Sequence, residues 1–363
     1  MKIAVLGASG FVGGHLLRFL RAKGLDARAV VRRRPSQPDP DYRVAEACDV
    51  YALRDAMNGC DVVVHAALGS DDVITGSVAP VYAAAEAVGI RRLIYMSSGS
   101  VHSQSPAPGT DESSPLSARQ AFSYNNAKVR AERGLKRLRA RGTVELVILR
   151  PTIVFGPGSR WVFDFADQLQ DGRAYVVDKA NGICNSIYVD NLSHAVMLAS
   201  TRPGIDGETF LLGDAEVVRW RDLFRPIAAA YGVDFDSVPS VSPPPAPRPT
   251  WKQRYIGPVL YLTPRAVKDA IKEAARRVRR LVVNSHRSPV TGQSPATSHQ
   301  SPVTSPQSPH VPPEIAALQR CEWRLPHDKA ARMLGYVPPV SFDEGCRRSI
   351  EWLLERRDRR LAS

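Results

Sequence analysis

Met1-Lys2-Ile3-Ala4-Val5-Leu6-Gly7-Ala8-Ser9-Gly10-Phe11-Val12-Gly13 is the stretch that decides the fold. Lys2–Leu6 is a short apolar run of strand type, and Gly13–Lys23 follows with Leu16, Leu17 and Leu20 on one helical face. Between them stands Gly-x-x-Gly-x-x-Gly, with glycines at 7, 10 and 13. A chain that leaves a strand and enters a helix within so few residues needs glycine for the turn. The same turn leaves bare backbone at a helix N-terminus, whose N–H groups and dipole attract a pyrophosphate. Alone, a glycine triplet is only a tight turn; its place directly behind the first strand is what points to a dinucleotide. Gly7, Ser9, Gly10, Phe11, Val12 and Gly13 are therefore candidate contacts for one.

Outward from this turn, apolar strands alternate with helical patterns. Strands are expected at Ala27–Val31, Asp61–Ala67, Arg92–Ser97 and Glu145–Leu149, and helices at Val78–Val88 and Asn125–Arg139. The strands are continuous apolar runs rather than alternating ones, as in a parallel sheet covered on both faces. The fold class expected is α/β, a doubly wound parallel sheet of Rossmann type. After Gly213 the pattern loosens. Ser237–Arg248 is a proline-rich linker, Arg265–Val283 reads as a helix, and Arg287–Pro313 repeats Ser-Pro five times without the apolar content needed to fold. Order is expected again at Trp323, with a final helix at Glu344–Arg356.

The 363 residues carry 49 Lys and Arg against 36 Asp and Glu, a net +13, and 44% are hydrophobic. That content can bury a core, so the chain as a whole is not disordered. Cys48, Cys60, Cys184, Cys321 and Cys346 are scattered, odd in number and free of a Cys-x-x-Cys pair, which excludes a disulfide scaffold or zinc module; no metal is expected. No apolar run is long enough to span a membrane as a helix. The first residues run directly into a strand, with no apolar leader and cleavage site, so a cytoplasmic location is expected.

The second strand closes with Val30-Val31-Arg32-Arg33-Arg34. An acid at this point would bind a ribose 2′-hydroxyl, whereas arginine can meet a 2′-phosphate. Either the arginines form a solvated turn or Arg32 and Arg33 bind NADP; the expectation is NADP, with NAD as the alternative. Further on, Tyr124-Asn125-Asn126-Ala127-Lys128 places a phenol and an ammonium four residues apart on one helix face. A free phenol, with a pKa of about 10, is a poor base at neutral pH. A nearby ammonium and a positive nicotinamide favour the phenolate, so that the tyrosine can exchange a proton with substrate while hydride moves. Tyr-x-x-x-Lys occurs often as a plain surface pair. Its context here is Arg92-Leu93-Ile94-Tyr95-Met96-Ser97-Ser98-Gly99-Ser100-Val101-His102, a strand with serines at its carboxyl end, where open α/β sheets bind their ligands.

This combination resembles the extended short-chain dehydrogenases/reductases, the NAD-dependent epimerase/dehydratase family. Further segments are similar to that family in the same order. They are Asp49-Val50, Val64-His65-Ala66-Ala67, Arg150-Pro151-Thr152-Ile153-Val154-Phe155-Gly156-Pro157-Gly158, Ile187-Tyr188-Val189-Asp190-Asn191-Leu192, Gly207-Glu208-Thr209-Phe210 and Lys329–Pro338. The resemblance covers about residues 1–235 and 320–356. It implies Tyr124 as acid/base, Lys128 as the group that tunes it and binds the cofactor ribose, and Ser98 as the hydroxyl that orients substrate. Ser98 is taken over Ser97 and Ser100 because it lies three before Val101-His102, where the family has valine-tyrosine. Asp49, Val50, Ala66, Ala67, Pro151, Ile153 and Val154 are implied cofactor contacts. His102 departs from the family's tyrosine and is read as a wall residue. Gly99 and Ser100 stand where the family's dehydratases carry an Asp-Glu pair, which argues against dehydration, and Ile74 stands where an asparagine is expected.

The resemblance also implies a Rossmann domain over 1–160 and a smaller α/β substrate lobe from 161–235 and 314–358, with some strands returning to the main sheet. The 236–286 linker and basic helix and the 287–313 Ser/Pro linker are insertions. The substrate implied is a nucleotide sugar, with Arg160 and Asn185 as candidate contacts; Arg160 can equally be an exposed loop charge. Asp190 is expected to cap the helix that follows it, and Trp161, Trp220 and Phe224 to be core. A homodimer through the helices that include Tyr124–Lys128 is implied. Between Lys252 and Arg287 ten basic residues face Asp269 and Glu273, so +8 of the chain's +13 sits in one segment. Such a helix either lies on an anionic membrane surface through 251–286 or docks on the enzyme by its apolar stripe. Nucleic acid is not expected, since no helix-turn-helix, zinc or RNA-binding signature accompanies it. The function expected is an NAD(P)-dependent epimerase or oxidoreductase on a sugar-nucleotide-like substrate. The alternatives are an NADPH-dependent reductase or dehydrogenase of a hydrophobic carbonyl or sterol-like alcohol, and a non-catalytic NADP-binding sensor or assembly protein, against which the intact Ser98/Tyr124/Lys128 set speaks.

Overall fold

The computed structural model describes residues 1–34, 39, 41–242, 249–251 and 311–361. Most of the proline linker, the whole basic helix and the Ser-Pro repeats expected above lie outside them.

Seven strands form one parallel sheet: β1 (Lys2–Leu6), β2 (Asp26–Val31), β3 (Tyr42–Val44), β4 (Val62–His65), β5 (Arg92–Met96), β6 (Glu145–Pro151) and β10 (Thr209–Leu212). Their order across the sheet is β3-β2-β1-β4-β5-β6-β10. The chain first winds outward from β1, then returns to lay β4 on its other side, so the switch point lies between β1 and β4. Side chains alternate between faces. Ile3 and Val5 enter one core with the helices α1 (Phe11–Ala22) and α7 (Val189–Thr201). Ala4 and Leu6 enter the other, with α2 (Val50–Met57), α4 (Val78–Ala87) and α5 (Ser123–Arg139). Burial on both faces is why these strands read as unbroken apolar runs.

A third core holds the smaller lobe. Its members include Phe165 on α6 (Arg160–Gln170) and Trp220 and Phe224 on α8 (Trp220–Ala230), with Phe342 and Leu353 from the last helix. Phe165 and Phe224 stack at 4.1 Å, and Trp220 and Phe224 are core residues as expected. Two short parallel pairs edge this lobe, β7 (Ile153–Phe155) with β9 (Ser186–Tyr188) and β8 (Val176–Val177) with β11 (Ser240–Val241). The chain re-enters as α9 (Pro313–Gln319), ahead of the order expected at Trp323. Proline in the first helical turn lacks only an N–H that would have no partner there, so Pro313 starts a helix rather than prolonging the linker. Next come α10 (Asp328–Leu334) and α11 (Phe342–Leu361). Residues Ala330, Leu334 and Tyr336 pack into the first core, on the Rossmann sheet rather than in the lobe.

Candidate active site

At the switch point the glycine turn meets the end of β4. Gly7 has φ +91°, and a Cβ there would lie 2.7 Å from the Ala67 N and Cα. A Cβ on Gly13 would lie 2.2 Å from the Gly7 carbonyl oxygen, so both positions require glycine. Gly7 and Ala8 donate to the Val30 carbonyl, and Ala66 donates to Leu6, which fixes turn and strand end against each other. Gly10 is the N-cap of α1 and has no side chain to fill the helix's first N–H groups. A bare cradle ending in a helix N-terminus suits a pyrophosphate. Arg32 and Arg33 stand exposed at the carboxyl end of β2. Asp49 caps α2, accepting from the Tyr51 and Ala52 N–H groups at 3.0 and 3.1 Å through one carboxylate oxygen.

The three residues implied in catalysis converge at the carboxyl end of β5. Ser98 precedes a 3-10 turn over Gly99–His102 and accepts from the Ser100 N–H, while the Ser98 and Ser100 hydroxyls lie 2.9 Å apart. The half-buried Tyr124, in the first turn of α5, sets its phenol against the Ser98 hydroxyl. Burial pushes that phenol up to about 12, against the Ser98 hydrogen bond and with the Glu314 charge adding to the rise. One helical turn on, Lys128 is 4% exposed and donates to the Met96 carbonyl at 2.7 Å. Its Nζ lies 5.0 Å from the Tyr95 ring centre and 5.9 Å from that of Tyr124. Burial lowers it to about 8, opposed by the Glu132 carboxylate.

Behind this set lies a buried ion pair that the sequence reading missed. Ser97 turns away from the cleft and donates to Glu132 at 2.5 Å. Arg150 forks onto the same carboxylate at 3.0 and 2.7 Å, with both side chains at 2% exposure or less. Glu132 follows Lys128 by four residues and Tyr124 by eight, so the helical spacing that aligned the first two reaches the third. Arg150 also donates to His102 Nε2 at 2.9 Å, which makes that ring neutral with its proton on Nδ1. Burial and the Arg150 charge push His102 down to about 4, and it serves as part of the wall. Ile74 is core, and the buried polar group nearby is Ser77, 2.9 Å from His65 Nε2.

Arg160, Asn185 and Asp190 all find partners within the protein. Arg160, at the start of α6, is exposed and pairs with Asp164 at 3.4 Å along the helix, in keeping with the exposed charge that is the alternative to a substrate contact. Asn185 commits both ends of its amide to the returning chain: it donates to the Trp323 carbonyl at 3.0 Å and accepts from Leu325 N–H at 2.8 Å. Asp190 does not cap α7, whose N-cap is Tyr188; it pairs with Arg348 at 3.4 Å. Asp214, beyond β10, holds the start of α7 instead, accepting from the Tyr188 N–H at 3.0 Å and from the Asn191 side-chain amide at 2.8 Å. Asp214 is 2% exposed, and burial raises its carboxyl to about 6 against those hydrogen bonds. Asn185, Asp214 and Arg324 line a small pocket with Thr152 and Leu325. Gly99 is crowded from that side: a Cβ there would lie 3.1 Å from Leu325 Cδ1 and 3.4 Å from Thr152 Cγ2. A side chain at 99 would need Leu325 to give way by a few tenths of an ångström.

Residues 3–213 match the model of the NAD-dependent epimerase/dehydratase family. The chain belongs to that family. It is an enzyme of the extended short-chain dehydrogenase/reductase type, an NAD(P)-dependent oxidoreductase or epimerase. Over 249 residues it is 27% identical to a 4-hydroxy-2-methyl-3-oxo-4-farnesyl-3,4-dihydroquinoline-1-oxide ketoreductase of Stigmatella aurantiaca, covering 64% of this chain and 74% of that one. Over 258 residues it is 26% identical to a 3 beta-hydroxysteroid dehydrogenase/Delta 5-->4-isomerase of Mycobacterium tuberculosis, covering 64% and 70%. The fold superposes on a dTDP-glucose 4,6-dehydratase from Streptomyces venezuelae solved with NAD, at a TM-score of 0.68 and 18% identity, covering 99% and 98%. Cys60, Cys184, Cys321 and Cys346 are buried free thiols, and among the described residues there is no metal-binding cluster and no helix long and apolar enough to cross a membrane.

Proposed function

We propose that this enzyme is an NADP-dependent reductase of neutral, apolar carbonyl compounds, running as an alcohol dehydrogenase when pH and concentrations favour oxidation. The observation that carries this reading is Tyr124, whose phenol keeps its proton at neutral pH while facing Ser98 above a buried Lys128. A carbonyl accepting hydride needs a proton donor at its oxygen, and a protonated phenol is one.

The glycine cradle from Gly7 to Gly13, including Ser9, Phe11 and Val12, would hold the pyrophosphate, and Arg32 and Arg33 the 2′-phosphate. Asp49, Val50, Ala66 and Ala67 would border the adenosine half, and Lys128, Pro151, Ile153 and Val154 the nicotinamide half. When bound, the reduced nicotinamide supplies the hydride. Ser98 and Tyr124 orient the carbonyl oxygen through their hydroxyls. Tyr124 then gives up its proton to that oxygen, and the Lys128 ammonium stabilises the phenolate left behind.

An apolar substrate is supported on two grounds. The two sequence relatives described above act, by their names, on a farnesylated quinoline and on a steroid. Among the described residues of the lobe, two cations that could meet a diphosphate have partners within the protein: Arg160 with Asp164, and Arg324 with the Asp214 and Ala215 carbonyls. Epimerisation of a nucleotide sugar on retained NAD is the competing reading. The test is to follow reduced-nicotinamide absorbance with NADPH and with NADH against a set of steroid and alkyl ketones, and to follow UDP-glucose/UDP-galactose interconversion in parallel. NADPH consumption on a ketone without interconversion supports the reductase; interconversion with tightly held NAD would establish the epimerase instead.

A further inference from the structure

We propose that Glu314 is a specificity-determining residue of this site, selecting substrates that carry no negative charge; the proposal rests on the reductase reading above and names its substrate class more narrowly. Glu314 lies far from the catalytic residues in sequence, in the first turn of α9, yet the returning chain brings it against Gln104, on the loop that follows Ser98, and within electrostatic reach of Tyr124. Its Oε1 accepts from Gln104 Nε2 at 2.6 Å. Gln104 is 5% exposed and sits just past the Gly99–His102 turn that starts at Ser98.

The returning segment is clamped to the catalytic loop at further points. Trp323 donates to the Thr110 carbonyl at 3.0 Å, and Asn185 holds the backbone at Trp323 and Leu325. Leu325 packs beneath Gly99. Glu314 is therefore held in place by the architecture. Of the groups around Tyr124, Lys128 is positive, the Ser98 hydroxyl, Tyr95 and His65 are neutral, and Glu132 is matched by Arg150. Glu314 is the exception. Among the described residues its hydrogen-bond partner is a neutral amide and no cation pairs with it, and its charge reaches the Tyr124 phenol. A carboxylate or phosphate on substrate near the reacting carbonyl would meet an unneutralised like charge in a partly dry cleft, where such repulsion is poorly screened.

The test compares Glu314→Gln, which keeps the shape and an acceptor for Gln104, with the unaltered enzyme. The probes are a neutral cyclic ketone and the same ketone bearing a ring carboxylate, with NADPH. The unaltered enzyme is expected to favour the neutral ketone in kcat/KM by about tenfold or more. Glu314→Gln should bring the ratio near unity by improving the carboxylated probe, with NADPH affinity unchanged. A ratio that does not move overturns the proposal. If neither ketone is reduced, the reductase reading fails separately, and Glu314 is judged by fluorine NMR of enzyme carrying 3-fluorotyrosine at position 124. There, Glu314→Gln should lower the titration midpoint; an unchanged midpoint overturns the placement of the charge.

Discussion

The amino-terminal sheet and the substrate lobe use their polar residues in different ways. In the sheet, the residues that can meet a cofactor or reacting atoms stand at the carboxyl ends of strands, with backbone or hydroxyls facing the cleft. In and beside the lobe, buried polar side chains are committed to joining distant segments: Asn185 to Trp323 and Leu325, Gln319 to Val177, and Asp214 to the start of α7. The lobe thus adds side-chain–backbone bonds between distant segments to its own apolar core, whereas the sheet is joined by strand ladders and leaves the carboxyl ends of its strands for chemistry.

The largest effect that would sharpen this contrast is at the ion pair behind the catalytic set. Glu132→Ala leaves Arg150 charged and buried without its partner, and should cost about 3–5 kcal/mol in chemical denaturation. A loss below ~1 kcal/mol would mean that α5 is held against β6 by apolar packing alone. Gly13→Ala comes next, with about 1–3 kcal/mol from overpacking against Gly7 and a loss of NADPH binding seen by calorimetry. Asn185→Ala should cost about 1–3 kcal/mol, since Leu325 N–H and the Trp323 carbonyl lose their partner, while NADPH affinity stays as it was. If Asn185→Ala instead raised KM for substrate with stability unchanged, the distinction drawn here between sheet and lobe would break at that residue. Arg160→Ala, the smallest, should change stability by less than ~0.5 kcal/mol and leave kinetics alone.

A pH effect belongs to the same comparison. Lys128 sits at about 8 in the folded enzyme against an ordinary value of 10.5. Between these values the unfolded chain holds a proton that the folded one has released, so this group makes stability rise with pH across that window. In Lys128→Met the rise should disappear from the pH dependence of the denaturation midpoint.

How much of this could be read from sequence follows the same division. The glycine turn, the Tyr124/Lys128 spacing and the serines after β5 are contiguous motifs whose geometry is set within one strand–turn–helix unit. Each was legible for that reason. Arg150 and Glu132 were visible as residues, but their pairing depends on α5 lying over β6, which spacing along one helix does not state. Residue type and place after family motifs suggest Asn185 as a substrate contact and Arg160 as either a contact or an exposed charge; the partners that engage them, Asp164 and the chain at 323–325, are ordinary in sequence. Asp190 sits at the right distance for a cap, yet it is Asp214, just past the edge strand β10, that holds the start of the same helix. Glu314 follows a proline-rich stretch and had no local signal at all.

The central claim is that Tyr124 donates the proton that completes reduction. Single-turnover hydride transfer from bound NADPH to a ketone found to be a substrate, compared between the unaltered enzyme and Tyr124→Phe, tests it most directly. The account predicts unchanged NADPH affinity and a rate lower by ~10²–10⁴-fold in Tyr124→Phe; an unaltered rate would contradict it.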